Sequence, residues 1–129
     1  DLAYMGTRFI ATSESQASDE YKQMLLQAHA ADIVHTAAVS GVPASFLRQS
    51  LQQAGYDDAR LQNKDEMNYG DKLKPLSDEA KAWKTVWSAG QGVGDIYDLP
   101  SAEELIARLD REYRLAQRQA VHLSQQWLR

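Results

Sequence analysis

The chain has no cysteine. That absence excludes disulfide frameworks, thiolate nucleophiles and cysteine metal sites together. It also suits a reducing compartment, so a cytoplasmic location is expected. No stretch approaches the roughly 18 apolar residues of a membrane span, and no basic segment followed by an apolar one opens the chain. No membrane association is expected. An excess of positive charge is lacking too: 14 Lys and Arg stand against 18 Asp and Glu, a net charge of -4. Nothing in that balance attracts nucleic acid over the whole surface. Histidine is limited to His29, His35 and His122. No two of them have the spacing of a helical metal clamp, and Asp32, near both His29 and His35, is a single carboxylate, so no metal is expected. No Gly-x-Ser-x-Gly nucleophile elbow is present. At 129 residues the chain fits one domain, able to bury somewhat under about 70% of its unfolded surface.

What is present begins with DLAYMGTRFIATSES, residues 1 to 15. The apolar run Leu2 to Met5 reads as a short strand buried in a parallel sheet, and a natural domain rarely starts inside one. At Gly6 the composition turns small and polar. A glycine lets the backbone turn and lets a bound group approach its N–H. Thr7 adds a hydroxyl, Arg8 a fixed cation, and Thr12, Ser13 and Ser15 further hydroxyls, a set suited to an anion. Ser18, Asp19 and Glu20 then start a helix whose buried face is Tyr21, Met24, Leu25 and Ala28. Ile33 to His35 is a brief extended segment. Gly41, Val42 and Pro43 turn the chain into an expected second helix, with Phe46, Leu47 and Leu51 as its buried stripe and Gly55 as its left-handed cap.

Residues 56 to 76, YDDARLQNKDEMNYGDKLKPL, read as a long surface connection. Ser77, Asp78 and Glu79 start a third helix with Trp83, Val86 and Trp87 on one stripe, which reads as core before it reads as a platform for a flat ring. The stretch WSAGQGVGD carries Gly90, Gly92 and Gly94 in alternation. This is neither the dinucleotide fingerprint nor a Walker-type loop, which leaves a flexible loop with Ser88 and Gln91, or a helix cap followed by a turn. In the last helix Ser101 and Glu104 have capping-box spacing. Leu105, Ile106, Leu109, Tyr113, Ala116, Ala120, Leu123 and Trp127 form one face. Arg108, Arg111, Arg114 and Arg118 line the other, read as a solvated face with Glu104–Arg108 and Asp110–Arg114 pairs.

Four ordered segments, MGTRFIATSES (5–15), YKQMLLQA (21–28), SGVPASFLR (40–48) and WKTVWSAGQGVGDI (83–96), resemble the C-terminal part of the nitronate monooxygenase, or 2-nitropropane dioxygenase, family. The resemblance implies an α/β parent, an FMN-binding (β/α)8 TIM barrel plus helical subdomain, of which this segment is mostly α-helical with one or two short strands. It divides the chain into a late barrel strand, phosphate loop and following helix (1–30), a helical subdomain with the long surface loop and glycine-rich return loop (31–98), and a closing helix (99–129). It implies FMN as cofactor, with Gly6 and Thr7 at the phosphate, Met5 as backbone neighbour, and Ser88, Ala89, Gly90 and Gln91 returning toward the flavin. Arg8 is expected either there or paired with a carboxylate.

The implied reaction takes a small-molecule nitronate and O2 to a carbonyl compound and nitrite. The family's catalytic histidine lies upstream of the matched motifs, so no catalytic base is carried over, and the segment alone is expected to be inactive. Exposed barrel-facing surface implies self-association or pairing with the missing barrel half. Two alternatives stay open: a same-fold flavin reductase acting on quinones or enoyl-acyl-carrier protein, and a non-catalytic helical interaction module.

Overall fold

The structure is a computed structural model that describes residues 5–39, 41–57 and 85–127. Leu2, Ala3 and Tyr4 of the expected first strand lie outside them, as do residues 58–76 of the long connection and Ser77, Asp78, Glu79 and Trp83 of the expected third helix. Among the described residues no helix is long and apolar enough to cross a membrane.

Gly6 caps a single helical turn, α1 (Thr7–Ile10). Helix α2 (Asp19–Gln27) starts at Ser18, whose side chain accepts from the Tyr21 N–H, with Asp19 and Glu20 in its first turn. These features satisfy and neutralise its positive end. Its buried face holds Met24 and Leu25, continued by Ala28. A 3-10 turn (Ala30–Asp32) leads into β1 (Ile33–Thr36).

The segment after Pro43 corrects the sequence expectation. Ala44–Leu47 is a strand, β2, and only Arg48–Gln53 is helical, α3. The strand pairs antiparallel with β1, Ile33 opposite Leu47 and Thr36 opposite Ala44. Gly41, at φ 74°, takes the left-handed conformation in the connecting turn. Consecutive strand side chains point to opposite faces, so Phe46 enters a cluster with Val39, Leu51 and Val86, while Leu47 enters one with Met24, Leu25, Val93 and Ile96. Extended chain at residues 87–89 lies along the other edge of β2. The Leu47 N–H donates to the Trp87 carbonyl at 2.9 Å and the Ala89 N–H to the Ser45 carbonyl at 3.2 Å. Thr85 is still helical, but Val86 and Trp87 lie outside the helix. Val86 is core, and Trp87, half-buried, stacks on Tyr21 with ring centroids 5.0 Å apart. Buried Ser50 fastens this edge: its Oγ donates to the Leu47 carbonyl at 2.8 Å and accepts from the Trp87 N–H at 3.0 Å.

Gly55 ends α3 as expected, at φ 84°. The Gly55 N–H donates to the Gln52 carbonyl and the Tyr56 N–H to the Leu51 carbonyl, the bond pair of a Schellman cap. Of the alternating glycines, Gly90 caps and Gly92 and Gly94 lie within an ordered 3-10 turn (Gln91–Asp95) around buried Val93, and none of the three has positive φ.

The last helix, α4 (Ala102–Trp127), has the expected capping box: the Ser101 N–H donates to Glu104 Oε2 at 2.9 Å and the Glu104 N–H to Ser101 Oγ at 3.2 Å. Glu14, from 88 positions earlier, also accepts from the Ala102 N–H, at 3.0 Å. Its apolar face departs from expectation, because Leu105 is 1% exposed but Ile106 is 58% and Tyr113 64% exposed. Only the first turns of α4 hold a buried residue, Leu105, and beyond them Leu123 and Val121 are exposed as well. The Asp110–Arg114 pair forms at 2.9 Å, whereas Arg108 turns to Asp98 and Glu104 to Ser101.

The two carboxylates at the start of α4 make its first turn acid-sensitive. Glu14 is held below its ordinary 4.5, first by the Ala102 N–H, and Glu104 likewise by the Ser101 N–H. A folded-state carboxyl below its unfolded value stabilises above the unfolded pKa and loses that contribution as pH falls through the folded one. The protection factor of the Ala102 amide, its exchange rate relative to the unfolded chain at the same pH, is expected to fall on acidification below about pH 4.5, and Glu14→Gln should blunt that response.

Candidate functional site

The sequence-predicted site residues come from two segments more than eighty positions apart, and one hydrogen bond joins them. The Gly90 N–H donates to Thr7 Oγ1 at 2.9 Å. A hydroxyl that accepts in this way keeps its own proton to give. Met5, Gly6, Thr7, Arg8 and Gly92 line a small recess beside this contact, of about 200 Å³. An added Cβ at Gly6 or Gly92 would meet no atom within 4 Å, so two lining positions leave open space.

Gly6 itself has φ -97°, a value any residue adopts. Its lack of a side chain leaves open space and is not required by the backbone angle, which corrects the conformational half of the sequence argument. The downstream hydroxyls also differ from expectation, being committed locally. Thr12 Oγ1 donates to the Phe9 carbonyl at 2.9 Å, Ser13 Oγ to Glu14 at 2.9 Å, and Ser15 Oγ accepts from the Ala17 N–H at 3.2 Å. Thr12 and Ser13 thus spend their protons on protein oxygens, while Ser15, like Thr7, accepts from a backbone N–H.

Of the second segment, Gly90 touches Thr7 and exposed Gln91 opens the 3-10 turn. Ala89 is 5% exposed, with its N–H committed to Ser45. The Ser88 carbonyl accepts from the Tyr21 hydroxyl, which burial pushes above its ordinary value and so keeps protonated. Ser88 and Ala89 thus tie the loop to the hairpin and to α2, while Gly90 and Gly92 reach the recess region.

Arg8 settles on a carboxylate, one of the two outcomes expected for it. Its Nη2 lies 2.6 Å from Asp98 Oδ1, and its side chain is 12% exposed. Arg108 holds the same carboxyl from the other side, at 2.6 Å to Oδ2. Hydrogen bonding from Arg108, with the charge of both arginines, keeps Asp98 below the usual carboxylate range. Sequence reasoning passed over Asp98, since no short-range pattern marks a partner 90 positions from Arg8.

The histidines stand apart. The His29 N–H donates to Asp32 Oδ2 at 2.8 Å, His35 Nδ1 pairs with Ser45 Oγ at 3.2 Å, and His122 Nε2 lies 3.0 Å from Gln126 Nε2. Among the described residues no group of three or more His, Cys, Asp or Glu could hold a metal ion.

A family model described as nitronate monooxygenase matches residues 2–112. A protein named nitronate monooxygenase from Paraburkholderia phytofirmans (strain DSM 17436 / LMG 22146 / PsJN) is similar, 33% identical over 115 residues. The alignment covers 85% of this chain and 31% of that relative, so the chain spans under a third of the relative's length. No solved structure matches the chain.

Proposed function

Because the chain belongs to the nitronate monooxygenase family, we propose that it is the phosphate-holding, C-terminal part of an FMN-dependent enzyme that oxidises alkyl nitronates with O2 to a carbonyl compound and nitrite. The family is one of generally flavin-dependent oxidoreductases with a TIM-barrel parent fold. Barrels of this kind bind phosphate in loops at the C-terminal ends of late strands.

The observation that carries the reading is the Gly90–Thr7 bond beside the recess. The donors there fit a phosphate group: a Thr7 hydroxyl with a free proton, and space above Gly6 and Gly92 for an oxygen to approach the backbone. Arg8 also lines the recess, with its guanidinium committed to Asp98. A flavin ring needs more wall than this recess supplies, so Thr7 and its neighbours hold one end and the rest of the polypeptide holds the other. When bound, the flavin supplies the electron transfer between nitronate and oxygen. The residues of this segment bind and orient. None of its histidines belongs to the recess lining, and the segment alone is inactive.

Oxygen uptake and nitrite release tested with FMN and an alkyl nitronate decide the matter. The full-length polypeptide is expected to turn over, and the isolated segment is not. Turnover by the segment would overturn the inactivity. NADH-dependent quinone reduction by the full-length protein, without nitronate activity, would overturn the reaction assigned.

A further inference from the structure

The Asp98 carboxyl is gripped from two sides. Arg8 Nη2 donates to Oδ1 at 2.6 Å, while Arg108 donates from Nη2 to Oδ2 at 2.6 Å and from Nη1 to Oδ1 at 3.2 Å. The other Arg8 Nη donates to the Ala11 carbonyl at 3.1 Å and to the Asp98 carbonyl at 3.3 Å. One guanidinium therefore bridges the C-terminal end of α1 and the segment leading into α4. Helical turn α1 is fastened twice: at Thr7 by the Gly90 N–H, and at Arg8 by Asp98. Met5 and Arg8 line both the recess and a second cavity of about 330 Å³ that also touches Leu105, Leu109 and Arg108. Arg8 thus borders both, and forms a partition between them.

We infer that Asp98 is a positioning residue for the recess: by holding Arg8 in the partition it fixes α1, and with it Gly6 and Thr7, in the register that accepts a phosphate group. This rests on the FMN reading proposed above. A carboxylate fits the task because it offers both arginines charge-assisted bonds, which are shorter and stronger than neutral ones. An amide keeps the shape but loses the charge and one acceptor. The two arms differ in consequence. Arg8 sits in the recess lining, whereas Arg108 belongs to α4, is 26% exposed and lies outside that lining.

The test is FMN affinity of the full-length protein, read by flavin fluorescence alongside its melting temperature, for the wild type and for Asp98→Asn, Asp98→Glu and Arg108→Gln. Asp98→Asn is expected to weaken FMN binding about tenfold, with Asp98→Glu recovering part of the loss. Arg108→Gln should lower the melting temperature while leaving the affinity within about twofold. Affinity within about twofold for Asp98→Asn, or losses that follow melting temperature equally in Asp98→Asn and Arg108→Gln, would overturn the positioning role alone. A wild type that binds no FMN would overturn the FMN reading and this inference with it.

Discussion

Phe46→Ala is expected to remove about 3–5 kcal/mol of folding free energy, read as a drop in the urea midpoint with an unchanged slope. Phe46 is 0% exposed, and its ring sits among Val39, Leu51 and Val86 with Val34, Ala44 and Tyr56 around them. Alanine leaves a cavity where the hairpin, α3 and the segment at Val86 meet. The neighbours are fixed by strand pairing and by the Ser50 bonds to Leu47 and Trp87, so the site collapses little and the cost lies toward the upper end. Against the roughly 5–15 kcal/mol of a whole domain this is a large share. The same substitution should loosen the grip on the segment entering Ser88–Gln91, because the ring packs against Val86 just ahead of it. A pair of adjacent residues on α4 gives the internal control. Leu105→Ala, at 1% exposure, should cost about 2–5 kcal/mol, and Ile106→Ala, at 58%, less than about 0.5. Equal effects at the two positions would show that the packing at the start of α4 is misjudged.

The residues that declare these elements in the sequence are those whose job is local. Ser18 with Asp19 and Glu20, Gly55, and the Ser101–Glu104 pair each satisfy backbone groups close by in the chain, and each is legible for that reason. The run from Ala44 to Leu51 is not. Phe46, Leu47 and Leu51 fit a helical stripe by spacing, but Phe46 and Leu47 pack into separate clusters, which only a strand between two neighbours allows. Those neighbours, β1 and residues 87–89, are set by tertiary structure that spacing does not encode. The face of α4 shows the reverse failure. Periodicity reports that a helix has an apolar side, not that something covers it, and Ile106 and Tyr113 remain exposed. In the candidate site, each half stands out as a glycine-containing motif. Their meeting at Thr7 and Gly90, and the Asp98 clamp 90 positions from Arg8, depend on how the chain closes on itself.

Gly6→Asp is the substitution expected to separate binding from folding most cleanly. The Gly6 backbone, at φ -97° and capping α1, is compatible with any residue, and a new Cβ would meet no atom within 4 Å. The backbone here, with ψ -64°, is helical rather than the extended form in which aspartate caps, so no stability gain is expected and the melting temperature should hold. The new carboxylate stands in the recess beside Thr7. At about 5 Å and an effective dielectric near 20, each pair of like unit charges costs about 3 kcal/mol, on the order of a hundredfold in affinity. FMN binding by the full-length protein should therefore fall at least about a hundredfold, while riboflavin, which lacks the phosphate, should lose far less. Gly6→Ala, with bulk but no charge, sets the steric share and should fall well short of the aspartate variant. The ratio of FMN to riboflavin loss is the decisive quantity, because a distorted fold would weaken both ligands together. Should FMN bind the Gly6→Asp variant as tightly as the wild type, the phosphate lies somewhere other than the recess of Gly6, Thr7 and Gly92.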